Sequence, residues 1–208
     1  MPEKFKINIF LLASSFYISF QLFANILSTK IALLPILNMS IDGGTVIYPL
    51  TFTLRDFVHK TCGKIIARQV IFIAAGLNLI MFGLFWLVGR MTPDPVWGFQ
   101  AAYEQILLPI GRIVLASIIA QVISELIDTE VFSIIYKRTN DILAVLGSNF
   151  IGLLVDSFIF GLIAFAGVLP LATVWQIILT NIVVKLIMSL ASAPSIKLIK
   201  RKVKFEEI

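Results

Sequence analysis

The chain has 208 residues, 59% of them hydrophobic and only 14% charged, with a mean hydropathy of +0.97. Soluble domains run nearer half apolar and about a quarter charged, so this composition excludes an ordinary soluble domain and reads as a polytopic membrane protein. The 17 Lys+Arg against 12 Asp+Glu come with no nucleic-acid-binding motif, and the excess is of the kind that gathers in cytoplasmic loops.

In chain order, hydropathy predicts six spans: 8–28, 46–62, 66–89, 106–136, 142–168 and 172–196. The first follows basic residues and resembles a signal peptide. Its run is long, however, and no small-x-small site precedes polar sequence, so it reads as a retained span. The second is short. Nine almost wholly apolar residues, Val46 to Leu54, lead straight into Arg55 and Asp56, with His59 and Lys60 marking an exit. Gaps between spans are brief, which gives one domain over 1–208 with no linker and no evident repeat. Cys62 is the single cysteine, so an intrachain disulfide is excluded and the thiol reads as inert.

Basic residues sort to one side of this arrangement. Lys4, Lys6, Lys60, Lys64, Arg68, Lys137, Arg138, Lys197, Lys200, Arg201, Lys202 and Lys204 fall together, against Lys30 and Arg90 on the other side. The positive-inside rule then puts both termini in the cytoplasm, which six spans satisfy. Trp86, Trp97, Tyr103 and Trp175 fall near the outer boundary, where interfacial aromatics belong.

Arg55, Arg112 and Lys185, with Asp56, Glu125, Asp128 and Asp156, are expected inside the membrane. Each costs roughly 2.5–3.5 kcal/mol at the bilayer centre, so they must face the bundle interior and find partners. Gln121, Glu125 and Asp128 lie at i, i+4 and i+7 on one stripe of the fourth span. Asn149 and Asp156 are two turns apart on the fifth, and Asn181 and Lys185 one turn apart on the sixth. The stripes overlap at mid-depth, where carriers place their sites. Hydrogen-bonded helix packing is the competing reading, and it suits Asn25, Asn78 and Ser124 taken singly. His59 is the only histidine, and metal-binding HExxH, nucleophile-elbow GxSxG and glycine-rich phosphate loops are all missing from the sequence. The reading is therefore transport rather than catalysis, with no cofactor and no metal. Arg55, adjacent to Asp56 on a helix, is expected to reach for lipid headgroups rather than pair with it.

Four blocks carry a family resemblance. "YPLTFTLRDFVHKTCGKIIARQVIF" (48–72), "GRIVLASIIAQVISELIDTEVFSIIYK" (111–137), "LGSNFIGLLVDSFIFGLIAF" (146–165) and "WQIILTNIVVKLIMSLASAPSIKLI" (175–199) occur in one order and cover about half the chain. Together they resemble the queuosine-precursor transporters, also called the vitamin uptake transporter family. The resemblance implies an all-α protein of the bacterial inner membrane. It implies six transmembrane helices in one bundle, similar to the substrate-binding subunits of energy-coupling-factor transporters. It implies import of 7-cyano- and 7-aminomethyl-7-deazaguanine, and of queuine as a further candidate, for tRNA modification. The family's polar positions carry to Asp56, Arg112, Gln121, Asp128, Asn149, Asp156 and Lys185; Glu125 and Asn181 join the candidate substrate-binding set from the stripes. Many relatives have a glutamate four residues after the first Asp, where this chain has Lys60.

A deazaguanine presents two donors beside a carbonyl. One carboxylate (Asp156 or Asp128) would take the donors, Asn149 and Gln121 would be amide partners, Lys185 and Arg112 would hold the acids ionised, and Phe158 or Phe160 would stack. The partners expected are a small molecule and the lipid bilayer; a homo-oligomer is compatible with the sequence. A carrier or substrate-capture subunit for another small vitamin or nucleobase is the alternative reading.

Overall fold

In hydrocarbon every backbone N–H and C=O has to be bonded within the protein, so apolar runs of membrane length become helices. The structure is a computed structural model that describes residues 8–35, 38–107 and 110–200. Lys4, Lys6, Arg201, Lys202 and Lys204, part of the charge count above, lie outside the described residues. Five long helices form: α1 (Ile9–Leu27), α3 (Lys64–Gly89), α5 (Ile110–Tyr136), α6 (Asp141–Phe165) and α7 (Leu171–Ser192). Five helical segments are long and apolar enough to cross a membrane. Between α3 and α5 lies the short α4 (Gln100–Leu107). α2 (Pro49–Cys62) completes the helices.

Local chemistry sets the ends. The Asn8 side-chain oxygen accepts the N–H groups of Phe10 and Leu11, and that of Asn140 accepts the N–H of Leu143, so α1 and α6 start on side-chain caps. Gly63, at φ 84°, ends α2 and turns the chain directly into α3, a conformation that favours glycine. Pro194 stops α7 in a terminal 3-10 turn.

The second predicted span differs from expectation. α2 has only 14 residues, which at 1.5 Å per residue is roughly 21 Å and short of the ~30 Å hydrocarbon. Before it come two short strands in an otherwise helical chain, as the all-α expectation has it. β1 (Ile31–Leu34) and β2 (Met39–Asp42) pair antiparallel, with Ile31 opposite Asp42, and a 3-10 turn (Gly43–Val46) leads into α2. β2 packs on α7, and the 3-10 turn packs on α1. Asp42 bonds to Asn181, halfway along α7, so this non-helical segment ends deep in the bundle. Irregular backbone is tolerated at such depth where protein surrounds it or it borders a cavity.

α2 is the inner helix. Ten of its residues are buried, from Pro49 to Thr61, and it touches α1, α3, α5, α6 and α7. α5 and α6 make the most extensive helix pair. Apolar clusters surround the polar axis: Ala13, Tyr17, Val58, Ala67 and Ile71 between α1, α2 and α3, and Ala116, Ala120, Phe160, Ile177 and Ile178 between α5, α6 and α7. The outer surface is apolar as well, with Phe72, Ile80, Trp86, Phe150 and Ile187 about half exposed or more, as suits a lipid-facing surface.

Candidate functional site

The N-terminal end of α2 borders a cavity. Tyr48 stands at the N-cap position without a side-chain capping bond, and the cavity beside it is lined by Asn25 and Ser28 of α1, Asp42, Thr45 and Tyr48 of the entering segment, Ser117 of α5, Asp156 and Phe160 of α6, and Lys185 of α7. Its open space is about 20 Å³, room for roughly one water, so the cavity has to widen to take a ligand.

Two acid-centred clusters form its wall. Asp156 is held by the Lys185 ammonium (Nζ to Oδ2, 2.7 Å) and the Tyr48 hydroxyl (to Oδ1, 2.7 Å), with Ser124 Oγ at 3.5 Å. Lys185 Nζ also lies 4.7 Å from the centre of the Tyr48 ring, a cation–π approach that fixes both side chains. Asp42 accepts from Ser28 Oγ (2.8 Å), from the Thr45 N–H (3.2 Å) and from Asn181 Nδ2 (2.7 Å). The Thr45 hydroxyl is 2.8 Å from Asp42 and 2.9 Å from Asn181 Oδ1, and its single proton serves one at a time. On the α1 side, Asn25 donates to Asn78 Oδ1 (2.5 Å) and accepts from Ser117, which ties α1, α3 and α5 together.

A second polar cluster runs along α2 away from the cavity. The Arg55 guanidinium bonds Asp56 (2.6 Å), Asp128 and the Glu125 carbonyl (3.2 Å), and lies 4.0 Å from the Glu125 carboxylate. Tyr17 and Gln21 of α1 each donate to Glu125 at 2.7 Å, and Gln121 donates to the Tyr17 hydroxyl at 3.1 Å. Among the described residues this cluster holds three carboxylates around one cation. Further along, Lys60 pairs with Asp141 at the start of α6 and donates to the Ile196 carbonyl at 3.1 Å. A continuous polar column thus extends from the cavity to the far end of α2.

The comparisons with known proteins fit this architecture. Residues 42–199 match the model of a family described as "Putative vitamin uptake transporter". The chain belongs to this family. It is also 30% identical over 158 residues to a protein of Bacillus subtilis (strain 168) named "Probable queuosine precursor transporter", an alignment covering 73% of this chain and 68% of that one. No solved structure matches the chain. The protein is therefore a multi-pass membrane transporter, not an enzyme, and it binds a small-molecule substrate within the membrane.

Of the expected site residues, the transporter brings Asp156 and Lys185 together at the cavity, with Asn181 behind Asp42. Asp56, Gln121, Glu125 and Asp128 gather instead in the Arg55 and Tyr17 network beside it. Asn149 donates to Ser189 Oγ (2.8 Å) and is absent from the cavity lining. Arg112 is a correction. It is exposed, and it donates to the carbonyls of Ile163 (2.6 Å) and Ala166 (2.5 Å), satisfying the end of α6 rather than any acid of the site.

Arg55 is the second correction. Its side chain is 0% exposed and paired with Asp56, because α2 lies inside the bundle with no headgroup in reach. Phe160 lines the cavity, whereas Phe158 faces outward against Trp175. The expectation missed Asp42 and Thr45, having treated 29–45 as an outer loop, and gave no role to Tyr48 within the second span. Its signal is "IDGGTVIYPL": an acid and two glycines before a run too short to cross, the interrupted segment that marks carrier sites.

Proposed function

We propose that the protein imports a queuosine precursor, a 7-deazaguanine base, across the bacterial inner membrane and binds it in the cavity between the 42–48 segment, α6 and α7. The observation that carries this reading is the buried Asp156–Lys185–Tyr48 group on the cavity wall, with Asp156 near the middle of α6. A guanine-like edge offers two adjacent N–H donors beside a carbonyl. Asp156 accepts the donors, the Lys185 ammonium or the Tyr48 hydroxyl serves the carbonyl, and Phe160 supplies an apolar face for the ring. The naming of the Bacillus subtilis relative supports the same class. Six crossings follow if the strand pair and α2 together make the second, and both termini are then cytoplasmic, as the basic residues favour.

Uptake of radiolabelled 7-deazaguanines by cells unable to make queuosine, with and without this chain, tests the reading. Accumulation that depends on the chain and is blocked by unlabelled deazaguanine supports it. Block by another vitamin or nucleobase alone replaces the substrate. Purified chain that binds the base yet moves none of it in proteoliposomes makes the protein a capture subunit awaiting a partner.

A further inference from the structure

The Arg55 network is unbalanced in charge. Asp56, Glu125, Asp128 and Arg55 are all fully buried, so three carboxylates meet one guanidinium inside the bundle. Glu125 has its donors, the Tyr17 hydroxyl on one oxygen and the Gln21 amide on the other. Asp56 and Asp128 are less well supplied. Both accept from the same nitrogen, Arg55 Nη2, on their Oδ1 atoms, which brings those oxygens within two hydrogen-bond lengths of each other. Their Oδ2 atoms are buried without a hydrogen-bond partner, as are Gln21 Oε1 and Gln121 Oε1 in the same network. Against these four acceptors, the donor left over among these residues is Arg55 Nε. The network is short of protons, and the shortage is greatest where two acids crowd one nitrogen.

We propose that Asp56 and Asp128 hold one proton between them, on a free Oδ2, and that its uptake and release couple transport to the proton gradient. A proton from solvent on one side of the membrane adds to the pair and is returned to solvent on the other. Two carboxylates sharing a site in a dry interior titrate as a pair, and one proton relieves their repulsion. Its binding also removes one of the two charges that Arg55 Nη2 bridges, which loosens the tie between α2 and α5. The charges acting on the pair are Arg55 and Glu125, and Ser148 of α6 is the neutral neighbour of Asp128. His59 follows Asp56 one turn on along α2. Other charges are engaged elsewhere: Lys64 and Arg68 of α3 by Glu130, Lys60 by Asp141, and Lys185 of α7 by Asp156. The pair reaches the cavity through α2 itself. Tyr48, bonded to Asp156, stands eight residues back from Asp56, roughly 12 Å along the helix. Hydrogen bonds run beside that path, from the Thr51 hydroxyl to the Tyr48 carbonyl (2.6 Å) and from the Gln21 amide to Thr51 (3.4 Å) and Glu125 (2.7 Å). The coupling rests on the reading of the cavity as the substrate site; the proton pair does not.

The test uses the full chain, in nanodiscs and in proteoliposomes that enclose a pH-sensitive dye. Without any ligand, the infrared spectrum should contain a protonated-carboxyl stretch that is lost as the pH is raised. Asp56→Asn and Asp128→Asn should each remove it, because one acid is then left to pair with Arg55. No such band in the wild-type protein overturns the proposal, as does a band that survives either substitution. A band removed by Glu125→Gln instead moves the proton to Glu125 and overturns the shared pair. For the coupling, the probe is 7-cyano-7-deazaguanine, which is neutral, so that a proton entering with it is read without interference. Its entry should acidify the vesicle interior, and in Asp128→Asn that acidification should be lost. Entry of the base without acidification in the wild-type protein overturns the coupling. Should the variants fail to fold, the wild-type band and the wild-type acidification still decide. If no base enters, the deazaguanine reading itself fails, while the infrared band still decides the proton site.

Discussion

At the scale of single residues, the cavity separates groups that hold one another from groups free to meet a ligand. Asp156 is the pivot, taking one bond from α7 and one from the start of α2. Asp156→Asn leaves Lys185 buried without its partner and removes the proposed acceptor for the ligand's donors. Binding is expected to weaken by at least about tenfold, measured by titration with the deazaguanine base. Tyr48→Phe is milder: the ring stays over Lys185, and one hydrogen bond of about 1 kcal/mol is lost, so affinity should fall roughly fivefold with the fold intact. Asn78 sits behind Asn25 and donates to the Ala74 carbonyl at 3.0 Å. It is packing chemistry, as its sequence context suggests.

At the scale of elements, α2 decides the architecture. A helix with Arg55, Asp56, His59 and Lys60 buried on it cannot face lipid, so the other helices enclose it. Removing Arg55 leaves three carboxylates around an empty place. Arg55→Met is expected to lower stability by about 3–5 kcal/mol, read from thermal unfolding in detergent, and adding Asp128→Asn should restore part of the loss.

The helices were legible in the sequence because length and apolarity suffice to specify a span, and the stripe on α5 was legible because 3.6-residue periodicity aligns Gln121, Glu125 and Asp128. The strand pair was not legible. Its residues are apolar and polar in no strong alternation, and only its depth, set by the Asp42–Asn181 contact across 139 positions, makes it part of the site. Arg112 misled for the opposite reason. A cation near a helix end reads as intramembrane from sequence, while its actual partners are backbone carbonyls that have no sequence signature.

At the scale of the whole molecule, a polar column lies inside the bundle and an apolar surface faces outward, as suits a membrane transporter solvated by lipid. The proposed orientation has a built-in reporter. Cys62 lies half-buried at the turn between α2 and α3, and it is the only cysteine of the chain. A membrane-impermeant maleimide should fail to label it in intact cells and label it in inverted vesicles. The reverse pattern would invert the topology.

The glycine pair ahead of α2 has a kinetic consequence. A Cβ on Gly44 would come within 2.1 Å of Ser28 Oγ and 2.5 Å of the Ala24 carbonyl, and one on Gly43 within 2.5 Å of the Leu27 carbonyl. The turn therefore nests against the end of α1 with no room for a methyl group, and if the proposed ligand enters past it, the turn has to be displaced and reseat. Gly44→Ala raises the energy of the seated turn relative to the displaced one. Ligand dwell time is then expected to shorten while entry quickens, so stopped-flow release from the variant should be faster than from the wild-type protein. The smallest residue in the chain would in that case set how long the cargo stays aboard.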